Sequence, residues 1–409
     1  MLTPLSRGLS DRIILPILAA IGLATAVAQS ELISIPPQYT YLLPNTFNGT
    51  ITEPFVDITT KNTTIDTLLA AAKNATFISY DPSFNLLLGP NPHADIIATS
   101  TLPSFFEAGV WVPERNEVWF TSDAGLQNPT DIHVLDLISN AIRIPTLTGF
   151  PLVNPVGGFY FEGKVYVTTF GNTTFPSGIV SIDPATGATT TVVNSYFGLL
   201  LNTPDDVCWV RRAGRSGYMF FTDPSFADYT KVPAAIPNAV WRFDPDAQSL
   251  VPVIDRTDIS TPNGVRANKE GTKLYVTDTP LEEPYQGDGI NGSYTASPAI
   301  YVYDLDENVM PVNKRLFGLA RKGFLDGLHV DDYGRVWTGE GEGVVVRNAA
   351  GKVIGLFNWE VLMSEKLRST GQVIANFALA GDSLIVLAVD RAWKVKLAQV
   401  VVSPARGGS

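Results

Sequence analysis

The chain has 409 residues, 45% of them hydrophobic, with 34 glycines, 29 prolines and a formal net charge of −11. That size allows a large core, in two or three domains or in one large all-β unit, and the scatter of Gly and Pro marks many turns and no single low-complexity linker. The negative charge argues against nucleic acid or an anionic membrane surface as a partner, because nothing in the composition answers phosphate charge.

In chain order, Arg7 and Arg12 precede the apolar stretch Ile13 to Ala28, which ends in the A-x-A sequence Ala26-Val27-Ala28. Residues 1–28 therefore read as a secretory signal peptide; a stretch this short, containing a proline, spans a bilayer poorly, so an uncleaved anchor is the lesser reading. Five N-x-S/T sequons, at Asn48, Asn62, Asn74, Asn172 and Asn291, agree with a secreted, extracellular glycoprotein that has no membrane attachment after cleavage. The single cysteine, Cys208, excludes an internal disulfide and reads as a buried strand residue. Residues 29–102 form an N-terminal extension. Within it "TIDTLLAAAKNATF" predicts a helix and "ADIIATS" a strand able to close a ring.

From residue 103 to residue 400 short strands of one flavour recur about every 50 residues: "EVWFTSD", "KVYVTTF", "YMFFTDP", "KLYVTDT", "RVWTGEG" and "LIVLAVD". Most are followed by a second strand that ends near an acid or a turn, as in "GIVSIDPATG" and "AVWRFDPD". Units of this kind predict an all-β fold, a six-bladed β-propeller, with residues 401–409 as a C-terminal tail. A sandwich or a solenoid does not explain four-strand units at this period.

Aligning the units on their aromatic strands exposes a register. Twelve residues before Trp119, Tyr166 and Tyr275 stand Glu107, Asn154 and Asn263; eleven before Trp337 stands Asp326; fifteen before Phe220, across a longer hairpin, stands Asp205. Five of six blades thus place an oxygen-bearing side chain where the innermost strand begins, and innermost strands converge around one channel. Such a ring of Glu, Asp and Asn oxygens suits a hard divalent cation, Ca²⁺ first, with Zn²⁺, Mn²⁺ and Mg²⁺ as alternatives. Without a cation, three carboxylates there would repel one another and raise their own pKa values.

The segments "FFEAGVWVPERNEVWFTSD", "LNTPDDVCW" with "MFFTDPSF", "STPNGVRANKEGTKLYVTDT" and "FLDGLHVDDYGRVWTGEGEGVV" occur in that order. As a set they resemble the gluconolactonase and senescence-marker-protein (regucalcin) family over residues 105–396, and especially its secreted fungal lactonohydrolase branch. The resemblance implies a six-bladed propeller with one catalytic Ca²⁺, or another divalent ion, that opens small lactones by hydrolysis. It places the family's metal-binding Glu, Asn and Asp on Glu107, Asn263 and Asp326. Two positions depart from the pattern: Asp205 stands where the family has Asn, and Leu325 where Pro is common.

A carboxylate beside a cation stays ionised and available to activate water, so Asp326 is the first candidate for general base; Asp206 is the second, or a group that orients its neighbours. Asn154 is a candidate ligand or substrate contact. "GEGEG", residues 339–343, reads as a blade turn near the channel mouth, with Glu340 and Glu342 as candidate substrate contacts. His133 and His329 read as ordinary strand residues; His329, three past Asp326, is expected on the opposite face of its strand. No G-x-S-x-G, H-E-x-x-H or C-x-x-C motif is present, which removes serine-hydrolase and zinc-protease readings. The favoured substrates are sugar-type or pantoyl-type lactones. The rival readings are a non-catalytic ligand-binding propeller and a metal-independent, strictosidine-synthase-like one.

Overall fold

A computed structural model describes residues 31–43, 47–48, 55–122, 130–211, 214–279, 298–370 and 372–402. The signal segment, Asn291 and all of the tail beyond residue 402 lie outside them, and of Asn48 only the backbone is described.

The repeated aromatic segments are the second strands of the blades. Glu117–Thr121, Tyr218–Asp223 and Val336–Glu340 are buried at every position, because each is covered on both faces by neighbouring blades. Continuous apolar runs are what a strand buried on both faces requires. Each blade is an antiparallel meander. The innermost strands of the first five are Glu107–Val112, Pro155–Phe161, Val207–Val210, Pro262–Ala267 and Leu325–Val330. They pack side by side around the channel, and Phe377–Leu387 of the sixth blade packs against Glu107–Val112 to complete the circle. The propeller inferred from the repeats is therefore the observed fold.

The N-terminal residues are built into this ring. The strand Ala94–Thr99 pairs antiparallel with Arg391–Val402, so blade six takes its outer strand from the front of the chain and its inner strands from the back. Phe77–Ser79 adds to the outer edge of blade five, and Leu32–Ser34 adds to Phe77–Ser79. The helix expected in "TIDTLLAAAK" spans Thr63–Lys73 and is capped by Asn62, whose side chain accepts from the Thr64 and Ile65 N–H groups. Its Leu69 and Ala72 pack on Val345 and Leu356 of blade five. A second helix, Pro82–Leu88, buries Phe84 and Leu87 against Phe357 and Leu397. Among the described residues no helix is long and apolar enough to cross a membrane.

Aromatic side chains fill the seams between blades. Phe161 of blade two stacks on Trp209 of blade three with ring centroids 4.8 Å apart, and Cys208 lies fully buried in the same cluster. Burying a side chain of this size contributes about 1.5–3 kcal/mol.

Candidate active site at the head of the channel

Three backbone devices aim the side chains that begin the innermost strands. The first is a bulge. Against their neighbours these strands slip register between Glu107 and Val110, Pro155 and Gly158, Pro262 and Val265, and Leu325 and Leu328. An extra residue there bends the strand and re-aims the side chain next to it. The second device is a hydroxyl from the preceding blade. Thr168 Oγ1 donates to the Asp205 carbonyl at 2.6 Å, Thr222 Oγ1 to that of Asn263 at 2.5 Å, and Thr277 Oγ1 to that of Asp326 at 3.3 Å. The third is close approach. A Cβ on Gly264 would lie 2.7 Å from the Asp326 carbonyl oxygen, and one on Gly327 would lie 2.4 Å from Asn376 Cγ. Blades two, three and four thereby fix the site residues of blades three, four and five.

The result is a buried acidic cluster. Glu107, Asp205, Asp206 and Asn263 are each less than one-tenth exposed, and Asp326 is partly exposed. Burial raises the Glu107 carboxyl well above the usual range, and the charge of Asp326 raises it further. Asp205 is driven up by burial and then by Glu107 and Asp206. Asp326 is pushed up to about 8 by burial, then by Asp205, against hydrogen bonds from Glu107 and Asn263. These interactions show that the sequence-predicted set of Glu107, Asp205, Asn263 and Asp326 converges.

Asp206 has a different surrounding. Its Oδ2 lies 3.0 Å from Arg266 Nη1, with both side chains almost wholly buried. Arg266 also donates to the carbonyls of Val207, Val265 and Gly158, and its guanidinium lies over the Phe159 ring. Burial raises the Asp206 pKa and Arg266 opposes that rise. Asp206 is thus half of a buried ion pair that ties blades two, three and four together behind the cluster.

The remaining candidates occupy other positions. Asn154, in left-handed backbone with φ +53, accepts from Thr130 N–H and donates to the Gly171 carbonyl, so both ends of its amide serve loops. Glu340 is fully buried against Arg347 and Thr338, and Glu342 is paired with Arg321 at 2.7 Å. Of the sequons, Asn62, Asn74 and Asn172 are exposed.

Two residues were missed. Asn376, fully buried at the start of blade six, donates from Nδ2 to Glu107 Oε2 at 2.9 Å. It supplies the sixth member of the ring, because the chain folds back near Gly381 (φ +68) and Leu387 N–H returns to the Asn376 carbonyl. The signal was present: ten residues separate Asn376 from the third position of "LIVLAVD", a hairpin two residues shorter than in blade one. The second is His329. It lies just past the register shift between Leu325 and Leu328. His329 Nε2 lies 3.3 Å from Asn376 Oδ1, and with Arg266 it lines a cavity.

Among the described residues no group of three or more His, Cys, Asp or Glu side chains is placed to hold a metal ion. The donors nonetheless fit a hard divalent ion. Among the described residues none of Glu107, Asp205 and Asp326 is paired with Lys or Arg, and burial together with neighbouring carboxylates raises the pKa of each. A bound cation would offset that repulsion.

Fold and site together define a class: six-bladed propellers that carry acids and amides at one mouth of the channel. Residues 105–361 match the family described as SMP-30/Gluconolactonase/LRE-like region, and the chain belongs to that family. It is 28% identical to the lactonohydrolase oryL of Aspergillus oryzae over 68% of this chain and 66% of that one. Against a gluconolactonase of Zymomonas mobilis the identity is 26%, over 78% and 85% of the two chains. Among solved structures, a gluconolactonase from Xanthomonas campestris superposes with a TM-score of 0.62 at 19% identity, covering 80% of this chain and 96% of its own. A calcium-binding regucalcin from Agrobacterium tumefaciens gives 0.52 at 17%, over 76% and 97%. These structural likenesses speak to the fold.

Proposed function

We propose that this chain is a secreted, divalent-cation-dependent lactone hydrolase that opens small sugar-type or pantoyl-type lactones to hydroxy acids. The observation that carries the reading is the cluster of Glu107, Asp205 and Asp326: burial and neighbouring carboxylates raise the pKa of each, and among the described residues no Lys or Arg is paired with any of them. The names of the lactonohydrolase and gluconolactonase relatives support the reaction, and the calcium-binding neighbour supports Ca²⁺ as the ion. Exposed Asn62, Asn74 and Asn172 support secretion with glycans.

Glu107, Asp205, Asn263 and Asp326 would hold the ion, which when bound supplies positive charge to polarise a lactone carbonyl. Asp326 serves as general base and takes a proton from water as the water oxygen adds to the carbonyl carbon. The ring C–O bond then breaks, and the proton passes from Asp326 to the departing alkoxide oxygen. Asp206, paired with Arg266, orients the cluster from behind.

The test is a pH-stat panel of lactones run with and without chelator. Hydrolysis should stop after long incubation with EDTA and return when Ca²⁺ is added. Full activity in excess EDTA overturns the cation dependence, and binding of lactones without opening assigns a ligand-binding propeller instead.

A further inference from the structure

We infer that Asn376 and His329 form an orienting relay for Glu107, a positioning device contributed by blade six and blade five that sets how the cluster presents its carboxylate to a cation. The inference rests on the reading of Glu107 as a cation ligand.

The relay is read from hydrogen bonds. Asn376 Nδ2 donates to Glu107 Oε2 at 2.9 Å, while its Oδ1 accepts the Phe377 N–H at 2.8 Å. With both ends of the amide committed, Oδ1 is the atom that faces His329 Nε2 at 3.3 Å. An amide oxygen can only accept, so in this contact the imidazole donates from Nε2. Burial, followed by the nearby Arg266 charge, keeps the ring neutral. All three side chains are at least nine-tenths buried. The His329 ring is packed against Phe377, 4.8 Å between centroids, and cannot swing away without opening the seam between blades five and six.

The physical role follows. A free glutamate has three torsions, and the entropy of fixing them opposes ion binding. Asn376 holds one oxygen of Glu107 in advance, so the other is presented to the cluster, and His329 in turn stops the amide from flipping. Groups in this position typically alter cation affinity about 10–100-fold when removed. Both ends of the Asn376 amide are taken by Glu107 and Phe377, which separates the relay from a ligand.

The experiment compares wild type with Asn376→Ala, His329→Phe and His329→Gln, each titrated with Ca²⁺ by calorimetry and assayed on a lactone, with thermal unfolding in EDTA as the control for folding. Asn376→Ala should weaken Ca²⁺ binding about 10–100-fold. His329→Phe should weaken it by a smaller factor, and His329→Gln, whose amide N–H can replace Nε2–H, should recover most of that loss. A plain packing role predicts the reverse order, with Phe tolerated beside Phe377 and Gln penalised. If the wild type binds no Ca²⁺ and opens no lactone, the proposed function fails. If the wild type does both while Asn376→Ala and His329→Phe keep its Ca²⁺ affinity within twofold, the relay alone is wrong. Should Asn376→Ala not fold, the ordering of the two His329 variants decides.

Discussion

Asp205 and Asp206 are neighbours in sequence with opposite electrostatic circumstances. Asp205 faces Glu107 and Asp326 with no balancing cation, whereas Asp206 is neutralised by Arg266. Replacing Asp205 by Asn should therefore stabilise the cation-free fold, raising the unfolding temperature in EDTA, and at the same time raise the Ca²⁺ concentration needed for half activity. One charge near a poorly screened ion is worth on the order of 1–3 kcal/mol, roughly tenfold and upward in affinity. Replacing Asp206 by Asn should do neither of these things. It strands a buried guanidinium and should cost about 3–5 kcal/mol of stability, much of it restored by adding Arg266→Met. Calorimetric unfolding of the four proteins, with a Ca²⁺ titration of each, checks the contrast; an unchanged midpoint in Asp205→Asn would remove Asp205 from the cation site.

At the scale of the strand, two second strands end in an aspartate that holds the loop entering the innermost strand. Asp223 Oδ2 accepts the Asn202 N–H at 3.1 Å, and Asp278 Oδ1 accepts the Thr261 N–H at 2.9 Å and the Ser260 hydroxyl at 3.0 Å. Burial pushes the Asp223 carboxyl up to about 7, against hydrogen bonds that act the other way. The folded state then holds a proton that the unfolded chain releases near pH 4, so this residue's contribution is complete below about pH 4 and is lost as pH rises to about 7. Asp223→Asn keeps an acceptor without the charge. It should match wild type at acid pH and exceed it at pH 8, with a ceiling on the order of 4 kcal/mol since one pKa unit is about 1.4. Thermal melts at pH 4.5 and 8 measure the difference, and equal melts at pH 8 would show that the carboxylate is solvated there. The same strands explain what could be read beforehand. Aromatic residues at fixed positions made the period visible, and counting back from them found Glu107, Asp205, Asn263 and Asp326. Blade six has Val386 at that position and a shorter hairpin, which hid Asn376. The contact of His329 with Asn376 crosses from blade five to blade six and leaves no local pattern. The Arg266–Asp206 pair joins blades three and four and leaves no local pattern at all.

At the scale of the molecule, the ring depends on one seam between distant parts of the chain. Ala98 lies opposite Ala392 in the pairing of Ala94–Thr99 with Arg391–Val402. Ala98→Cys with Ala392→Cys should form a cross-link when oxidised and raise the unfolding temperature by several degrees, within the roughly 4–5 kcal/mol that closing so long a loop allows. An oxidised variant with an unchanged transition would show that unfolding begins elsewhere in the ring.

That seam also orders events in time. The strand Ala94–Thr99 is synthesised early and waits for a partner that arrives only when Arg391 and the residues after it have been made. At about 5–20 residues per second the wait is roughly 15–60 seconds. Throughout it the nascent chain exposes an unpaired apolar strand, while Asn62, Asn74 and Asn172 are already available to any enzyme acting during synthesis. Chains that stop before Arg391 keep two open sheet edges, the geometry that holds chaperones and seeds edge-to-edge association.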